Sequence, residues 1–232
     1  MNEVKASLYS KKKSKLNIVL NVLIAVIAFA LLFEVVFATT YSGIYVVGTS
    51  MNDTLTGAES EDTAGGDYVF VNRHAKPDYG DIVVVFTEKN KTIIKRVIAM
   101  GGDRVKLVRG QLYIKYSGKD KFVEVEEAYV SAANNSSVSD QNSFPWVNNK
   151  IDENGYLVEK DCLFLLGDNR NVSLDSRGKI NVHNGLKSSI PENFPVKNLY
   201  GVVAGWSLNN KNFFSVIHRY FYFDLPKSLG LK

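Results

Sequence analysis

Ser50 and Lys95 are the two side chains of this sequence best suited to act together in covalent chemistry. A serine hydroxyl attacks an amide only when a base removes its proton. Histidine is the usual base, but lysine serves when burial strips water from its ammonium until it gives up the charge. Ser50 lies in Gly48-Thr49-Ser50-Met51, where a glycine two residues before the hydroxyl permits a tight turn. From such a turn the Ser50 N–H can face a developing oxyanion. An ordinary structural serine would have the same local sequence. Lys95 lies in Thr92-Ile93-Ile94-Lys95-Arg96-Val97-Ile98. As a strand, this segment puts Lys95 on one face with Ile93 and Val97, and Arg96 on the other with Ile94 and Ile98. Two cations inside an apolar strand are costly without partners. The unexceptional alternative is an edge strand from which both chains reach water.

A third segment, Gly167-Asp168-Asn169-Arg170-Asn171-Val172-Ser173-Leu174-Asp175-Ser176-Arg177, follows the apolar run Cys162–Leu166. Two carboxylates and two arginines in one loop suit a braced ion-pair network, leaving hydroxyls to bind something else. The other candidates are weaker. His74, His183 and His218 lie in no motif and read as surface or satisfied histidines. The single cysteine, Cys162, excludes an internal disulfide and a cysteine-built zinc site, and reads as a small core residue. No metal or cofactor is expected.

These residues need elements to hold them. From Ile18 to Ala38 only Asn21 and Glu34 are strongly polar, and such a run forms a helix of about 30 Å, the hydrocarbon thickness. Lys5, Lys11, Lys12, Lys13 and Lys15 precede it against Glu3 alone, which predicts a cytoplasmic N-terminus and an extracytoplasmic remainder. A cleavable signal peptide shares the basic start, but this run is long for one and no small-x-small site follows it cleanly. Glu34, near its outer end, reads as a solvated residue. Ser50 then lies close behind Thr39, so a fully extended chain keeps it within about 40 Å of the bilayer.

Much of the formal net charge of +4 sits in that lysine cluster, so nucleic-acid binding has little support. Beyond it, β-branched and aromatic runs predict strands at Tyr41–Val47, Asp67–Asn72, Asp81–Thr87, Thr92–Met100, Arg104–Val108 and Gln111–Lys115. Phe122–Val125, Tyr156–Val158, Cys162–Leu166 and Leu199–Trp206 continue the series, punctuated by Gly, Asn, Asp and Pro. The expected fold is mainly β: an antiparallel ectodomain with an inserted β-subdomain, preceded by one transmembrane helix. The expected division is a basic tail at 1–15, the transmembrane helix at 16–39, and a catalytic β-core at 40–103 and 161–212. An inserted subdomain occupies 104–160, with a polar loop at 131–150. An aromatic C-terminal segment occupies 213–232, where Phe213, Phe214 and Tyr220 to Phe223 rest on lipid or pack in the core.

Four ordered boxes carry a family resemblance. Gly48-Thr49-Ser50-Met51 with Thr54-Leu55, Gly80-Asp81-Ile82-Val83, Lys95-Arg96-Val97-Ile98 with Gly102-Asp103, and Gly167 to Arg177 together resemble bacterial type I signal peptidase, peptidase family S26. The resemblance implies a membrane-anchored serine endopeptidase that removes signal peptides from exported preproteins. It implies Ser50 as nucleophile and oxyanion N–H donor, Lys95 as general base and Ser173 as the hydroxyl that orients the lysine. Arg96, Asp168, Asp175 and Arg177 match the family's structural ion pairs, and Met51 a residue that keeps water from the dyad. The implied substrates carry small residues before the cleavage site and bind as an added strand. Membrane lipid, the secretion translocon and pilin substrates are further candidate partners. The sequence departs from the family pattern at Asp53 and Gly101, where proline is usual, and Gly48 replaces a serine that some members use as an oxyanion donor. Two other functions fit parts of the pattern. A peptidase-derived assembly factor for surface polymers such as pili would have lost one dyad member. A self-cleaving regulator of the repressor type would need a helical DNA-binding domain.

Overall fold

The computed structural model describes residues 2–60, 65–87, 91–108, 111–133, 154–177, 181–183, 186–188 and 193–208. The chain divides into two compact units, Met1–Ser42 and Gly43–Lys232. The first consists mostly of one helix, α1 (Asn2–Thr40), which runs unbroken from the lysine cluster through the apolar run. Its Lys15–Thr40 stretch of 26 residues exceeds the length needed to cross a bilayer. Side chains from Lys15 to Val36 are all exposed. Apolar exposure on every side of a helix is tolerable in lipid and not in water.

From Tyr41, at the end of the first unit, onward the chain is mainly antiparallel β. In chain order its strands are β1 (Tyr41–Tyr45), β2 (Tyr68–Asn72), β3 (Ile82–Phe86), β4 (Thr92–Met100), β5 (Arg104–Val108), β6 (Gln111–Lys115) and β7 (Val123–Glu124). They continue with β8 (Tyr156–Leu157), β9 (Cys162–Leu166), β10 (Asn181–His183), β11 (Leu186–Ser188), β12 (Phe194–Pro195) and β13 (Leu199–Val203). Seven of them form one sheet in the order β1-β2-β13-β3-β4-β9-β12. A four-stranded sheet has the order β7-β6-β5-β8, and β10 and β11 form a two-stranded sheet among the described residues.

Runs such as Ile82-Val83-Val84-Val85 and Cys162-Leu163-Phe164-Leu165-Leu166 lack alternation because both of their faces are covered. One cluster packs Val69, Val71, Ile82, Val84 and Val203 with Met51 and Leu55. Another joins Val83, Val85, Val97, Leu163, Leu165 and Phe194. A third packs Val105, Leu107, Leu112 and Ile114 of the four-stranded sheet against Ile98, Cys162, Phe164 and Leu166. Cys162 is a buried free cysteine in that third cluster, and burial pushes its thiol up.

Three sequence expectations change. β4 lies between β3 and β9, so the edge-strand arrangement for Lys95 and Arg96 is excluded. The expected Leu199–Trp206 strand ends at Val203, and a 3-10 turn over Gly205–Ser207 follows. There Ser207 Oγ accepts from Phe70 N at 3.0 Å and donates to Ala204 O at 2.7 Å, bonds that draw the chain out of the sheet. β1 stops at Tyr45, and Val47 instead makes a lone parallel bridge to Ala58. Residues 134–150 of the polar loop and the segment 213–232 lie outside the described residues, as does His218.

Candidate active site

Two registers and one turn assemble the site. β3 and β4 pair Val83 with Lys95 and Ile82 with Arg96. On the other side of β4, Arg96 faces Leu166, the last residue of β9. The loop that begins at Gly167 therefore leaves the sheet beside the two cations. That loop folds back on its own strand: Ser176 N donates to Leu165 O at 2.9 Å, and Leu165 N to Ser176 Oγ at 2.8 Å. A shift in register between Val97 and Ala99 marks a bulge just past the cations.

Gly48 opens the Ser50 turn at φ 83°, a left-handed backbone that favours glycine. Thr54 and Leu55 N–H groups bond back to Met51 O, each at 2.9 Å. Met51 and Leu55, both 1% exposed, anchor the turn in the core while Ser50 stays half-buried. Asn169 N donates to Ser50 O at 3.0 Å, joining the turn to the loop after β9.

Lys95 Nζ reaches Ser50 Oγ at 2.8 Å and Ile94 O at 2.7 Å, and the side chain is 4% exposed. Burial lowers its pKa from 10.5 to about 8. Asp175 and Asp168 pull it back upward, and Arg177 pushes it down. That lowering corresponds to about 3 kcal/mol of disfavoured ammonium. A lysine in this state is cationic at acid pH and a free amine in contact with a hydroxyl at mildly alkaline pH. The arrangement can deprotonate Ser50.

Ion pairs brace the surroundings. Arg96 grips Asp168 bidentately, Nε to Oδ1 at 2.9 Å and Nη2 to Oδ2 at 2.6 Å, and its Nη1 donates to Gly80 O at 2.8 Å. Thr54 Oγ1 donates to Asp168 Oδ2. Arg177 makes the same fork with Asp175, at 2.7 and 2.9 Å. Burial alone would raise the Asp175 carboxyl, but Arg177 and the Gly167 N–H outweigh it and hold its pKa down. Ser173 is fully buried, and its hydroxyl joins Arg177 and the Gly167 N–H in holding the Asp175 pKa down; it is not one of the two groups that Lys95 Nζ contacts. It does lie across Gly167 from Ser50, since a Cβ built on Gly167 would sit 2.2 Å from Ser173 Oγ and 2.5 Å from Ser50 O. His74 is exposed in the turn after β2, and Asp53 is exposed. Among the described residues no cluster of His, Cys, Asp or Glu is arranged to hold a metal ion.

Sequence reasoning passed over Glu127, Tyr129 and the partner of Arg170. Arg170 is 0% exposed and its guanidinium pairs with Glu127. Tyr129 donates to Glu127 Oε1 at 2.7 Å and lies under Arg96, whose Cζ is 3.9 Å from the ring centroid. A signal for this existed. In the loop after β9, Arg170 and Arg177 lie with Asp168 and Asp175, but Arg96 takes Asp168 and Arg177 takes Asp175, so Arg170 needs a carboxylate from outside the loop.

A family model described as signal peptidase, peptidase S26, matches residues 16–201. Signal peptidase I of Streptococcus pneumoniae serotype 4 is 39% identical over 92 residues, covering 39% of this chain and 38% of that protein. Signal peptidase I S of Bacillus subtilis strain 168 is 36% identical over 143 residues, covering 57% of this chain and 65% of that protein. The chain thus spans less than two thirds of the length of these curated relatives. The crystal structure of a signal peptidase I from Enterococcus faecalis V583 aligns with a TM-score of 0.37 at 23% identity, covering 56% of this chain and 98% of that one.

Proposed function

The chain belongs to the signal peptidase family S26, and from that premise we propose that it is a membrane-anchored endopeptidase that removes signal peptides from exported preproteins. The observation that carries the reading is the 2.8 Å hydrogen bond between buried Lys95 Nζ and half-buried Ser50 Oγ. In the neutral state the Lys95 amine takes the Ser50 proton as Oγ bonds to the scissile carbonyl carbon. The Ser50 N–H stabilises the resulting oxyanion. The Lys95 ammonium then protonates the leaving amine, the peptide C–N bond breaks, and an acyl-enzyme remains on Ser50. Lys95 next takes a proton from water, whose oxygen attacks the ester, and Ser50 Oγ leaves with that proton.

Ser173 orients the amine through its buried hydroxyl. Arg96, Asp168, Asp175 and Arg177 hold the loop in place, and Met51 keeps water from the lysine side of the turn. Residues 40–103 and 161–212 form the catalytic core, and 104–160 an inserted subdomain. The lysine cluster keeps residues 1–15 in the cytoplasm and the catalytic unit outside. The substrate binds as an added strand, with small residues at the first and third positions before the cut. Membrane lipid and the secretion translocon are its surroundings, and pilins are among the candidate substrates.

The test is incubation of the full-length protein in detergent with a preprotein. A processed band that disappears in Ser50→Ala and in Lys95→Arg is expected, because arginine keeps the charge but cannot give up its proton. No band from the native protein, or an undiminished band from either variant, overturns the reading.

A further inference from the structure

We infer that the segment from Glu126 to Ala133 is a strap whose Glu127 and Tyr129 are positioning residues for the Ser50–Lys95 pair, holding Arg170 and Arg96 against the site from outside the four sequence boxes. The inference rests on the proposed peptidase reading and assigns it a further part.

The contacts run in two lines from the strap to the dyad. In the first, Glu127 receives both terminal nitrogens of Arg170, Nη1 at 2.9 Å and Nη2 closer still. Arg170 Nε in turn donates to Gly167 O at 3.0 Å. Gly167 is the residue pressed against Ser50 O and Ser173, so the strap fixes the backbone that backs the nucleophile. In the second, the Tyr129 ring lies beneath the Arg96 guanidinium while its hydroxyl bonds Glu127. Arg96 is next to Lys95 in β4 and carries Asp168 and Gly80 on its remaining nitrogens. Val130 N closes the strap on Glu127 O at 2.9 Å, and Asn171 Nδ2 ties it to the loop through Ala133 O at 2.7 Å.

The burial pattern argues that these contacts do more than cover a surface. The Arg170 side chain is 0% exposed and that of Glu127 8%, and a buried guanidinium without its carboxylate is strongly unfavourable. Arg170 cannot hold Gly167 O in place unless Glu127 holds Arg170. A bidentate carboxylate fixes both the position and the plane of a guanidinium, which a solvent-facing partner would not do. The aromatic face under Arg96 adds a second, directional restraint on a cation whose other contacts lie at its edge. Two buried arginines are thus clamped from one short segment that follows β7 in the chain.

The experiment measures kcat, KM and melting temperature of the full-length protein in detergent, using a peptide with alanine at the first and third positions before the bond. Glu127→Gln is expected to lower kcat about tenfold or more with KM within a few-fold, because the change displaces the reacting atoms more than it alters contacts to the bound peptide. The double variant Glu127→Leu with Arg170→Met removes both buried charges, so the melting temperature returns toward native. Its kcat is expected to stay low, since Gly167 O has lost its donor. Native kcat in Glu127→Gln, or a kcat that recovers along with stability in the double variant, overturns the inference and reduces the strap to a fold support. If neither variant folds, Tyr129→Phe decides: it removes one hydroxyl, and kcat about threefold to tenfold lower at unchanged melting temperature supports the strap, whereas native kcat overturns it. Absence of Ser50-dependent cleavage in the native protein is a separate result, and defeats the underlying peptidase reading instead.

Discussion

Gly167→Ala is the substitution whose effect follows most directly from the geometry. The added Cβ would lie 2.2 Å from Ser173 Oγ, 2.5 Å from Ser173 Cβ and 2.5 Å from Ser50 O. A hydroxyl alone could rotate aside, but the other two contacts involve the stem of a buried side chain and the backbone of the nucleophile's turn. Ordinary contact distances require the loop and the turn to separate by about 1 Å. Both partners resist, because Gly167 N is held by Asp175 Oδ2 at 3.0 Å and Ser50 O by Asn169 N at 3.0 Å. Overpacking of this kind costs about 1–3 kcal/mol of stability, a fall of a few degrees in melting temperature. A shift of about 1 Å at the attacking atom costs about a hundredfold in kcat. The assay is steady-state cleavage beside a thermal melt, and the expected result is kcat down about a hundredfold with KM little changed. Native kcat together with a native melt would show that the loop does not press on the Ser50 turn. A lowered melt with native kcat would show that the contact supports the fold without positioning the nucleophile.

Asp168→Asn leaves Arg96 with a neutral partner in a buried site, and is expected to destabilise the protein by about 3–5 kcal/mol, measured by denaturant titration. A change within experimental error would mean that Arg96 finds another partner. Because the Lys95 pKa is lowered to about 8, the free-amine fraction grows as pH rises through that value. The kcat/KM of the native enzyme is expected to rise about tenfold from pH 7 to pH 9 and to level off above it. A hundredfold rise with no plateau would point to an unperturbed lysine. Below pH 8 the folded and unfolded states both carry the proton, so this group's unfavourable contribution to folding is complete there and is relieved between about 8 and 10.5.

Much of the second unit was legible from local chemistry. Thr92–Met100, Arg104–Val108, Gln111–Lys115 and Cys162–Leu166 appear with the expected bounds, because β-branched runs stop at Gly-Gly, at turn residues or at the loop after Leu166. The mainly antiparallel architecture followed from those runs. Strands of two or three residues, β10, β11 and β12, were missed because they are too short for periodicity to register. The end of β13 was misjudged because Ser207, a polar residue beyond the strand, captures the backbone of Phe70 and turns the chain. The placement of β4 inside the sheet was undecided, since a strand with two central cations reads equally well as an edge. Only the pairing of Arg96 with both Ile82 and Leu166 settles it.

The site divides along the same line. Residue types flagged Ser50, Lys95 and the loop after Gly167, but their meeting depends on registers between strands distant in sequence, which no local pattern encodes. Ser50 and Lys95 are 45 residues apart, and Thr54 and Asp168 are 114 apart. Glu127 was hidden for a different reason. It sits in a short polar stretch without strand or helix periodicity, and its role comes entirely from reaching a buried arginine 43 residues away.

The central claim is that Lys95 is held dry enough beside Ser50 to be a base near neutral pH. The direct measurement is a nuclear magnetic resonance titration of full-length protein labelled with 13C and 15N in its lysines, with Lys95 assigned by loss of its signal in Lys95→Arg. A midpoint for Lys95 near pH 8, well below the ordinary lysine value of 10.5, is the expected result. A midpoint near the ordinary value of 10.5 would contradict the account.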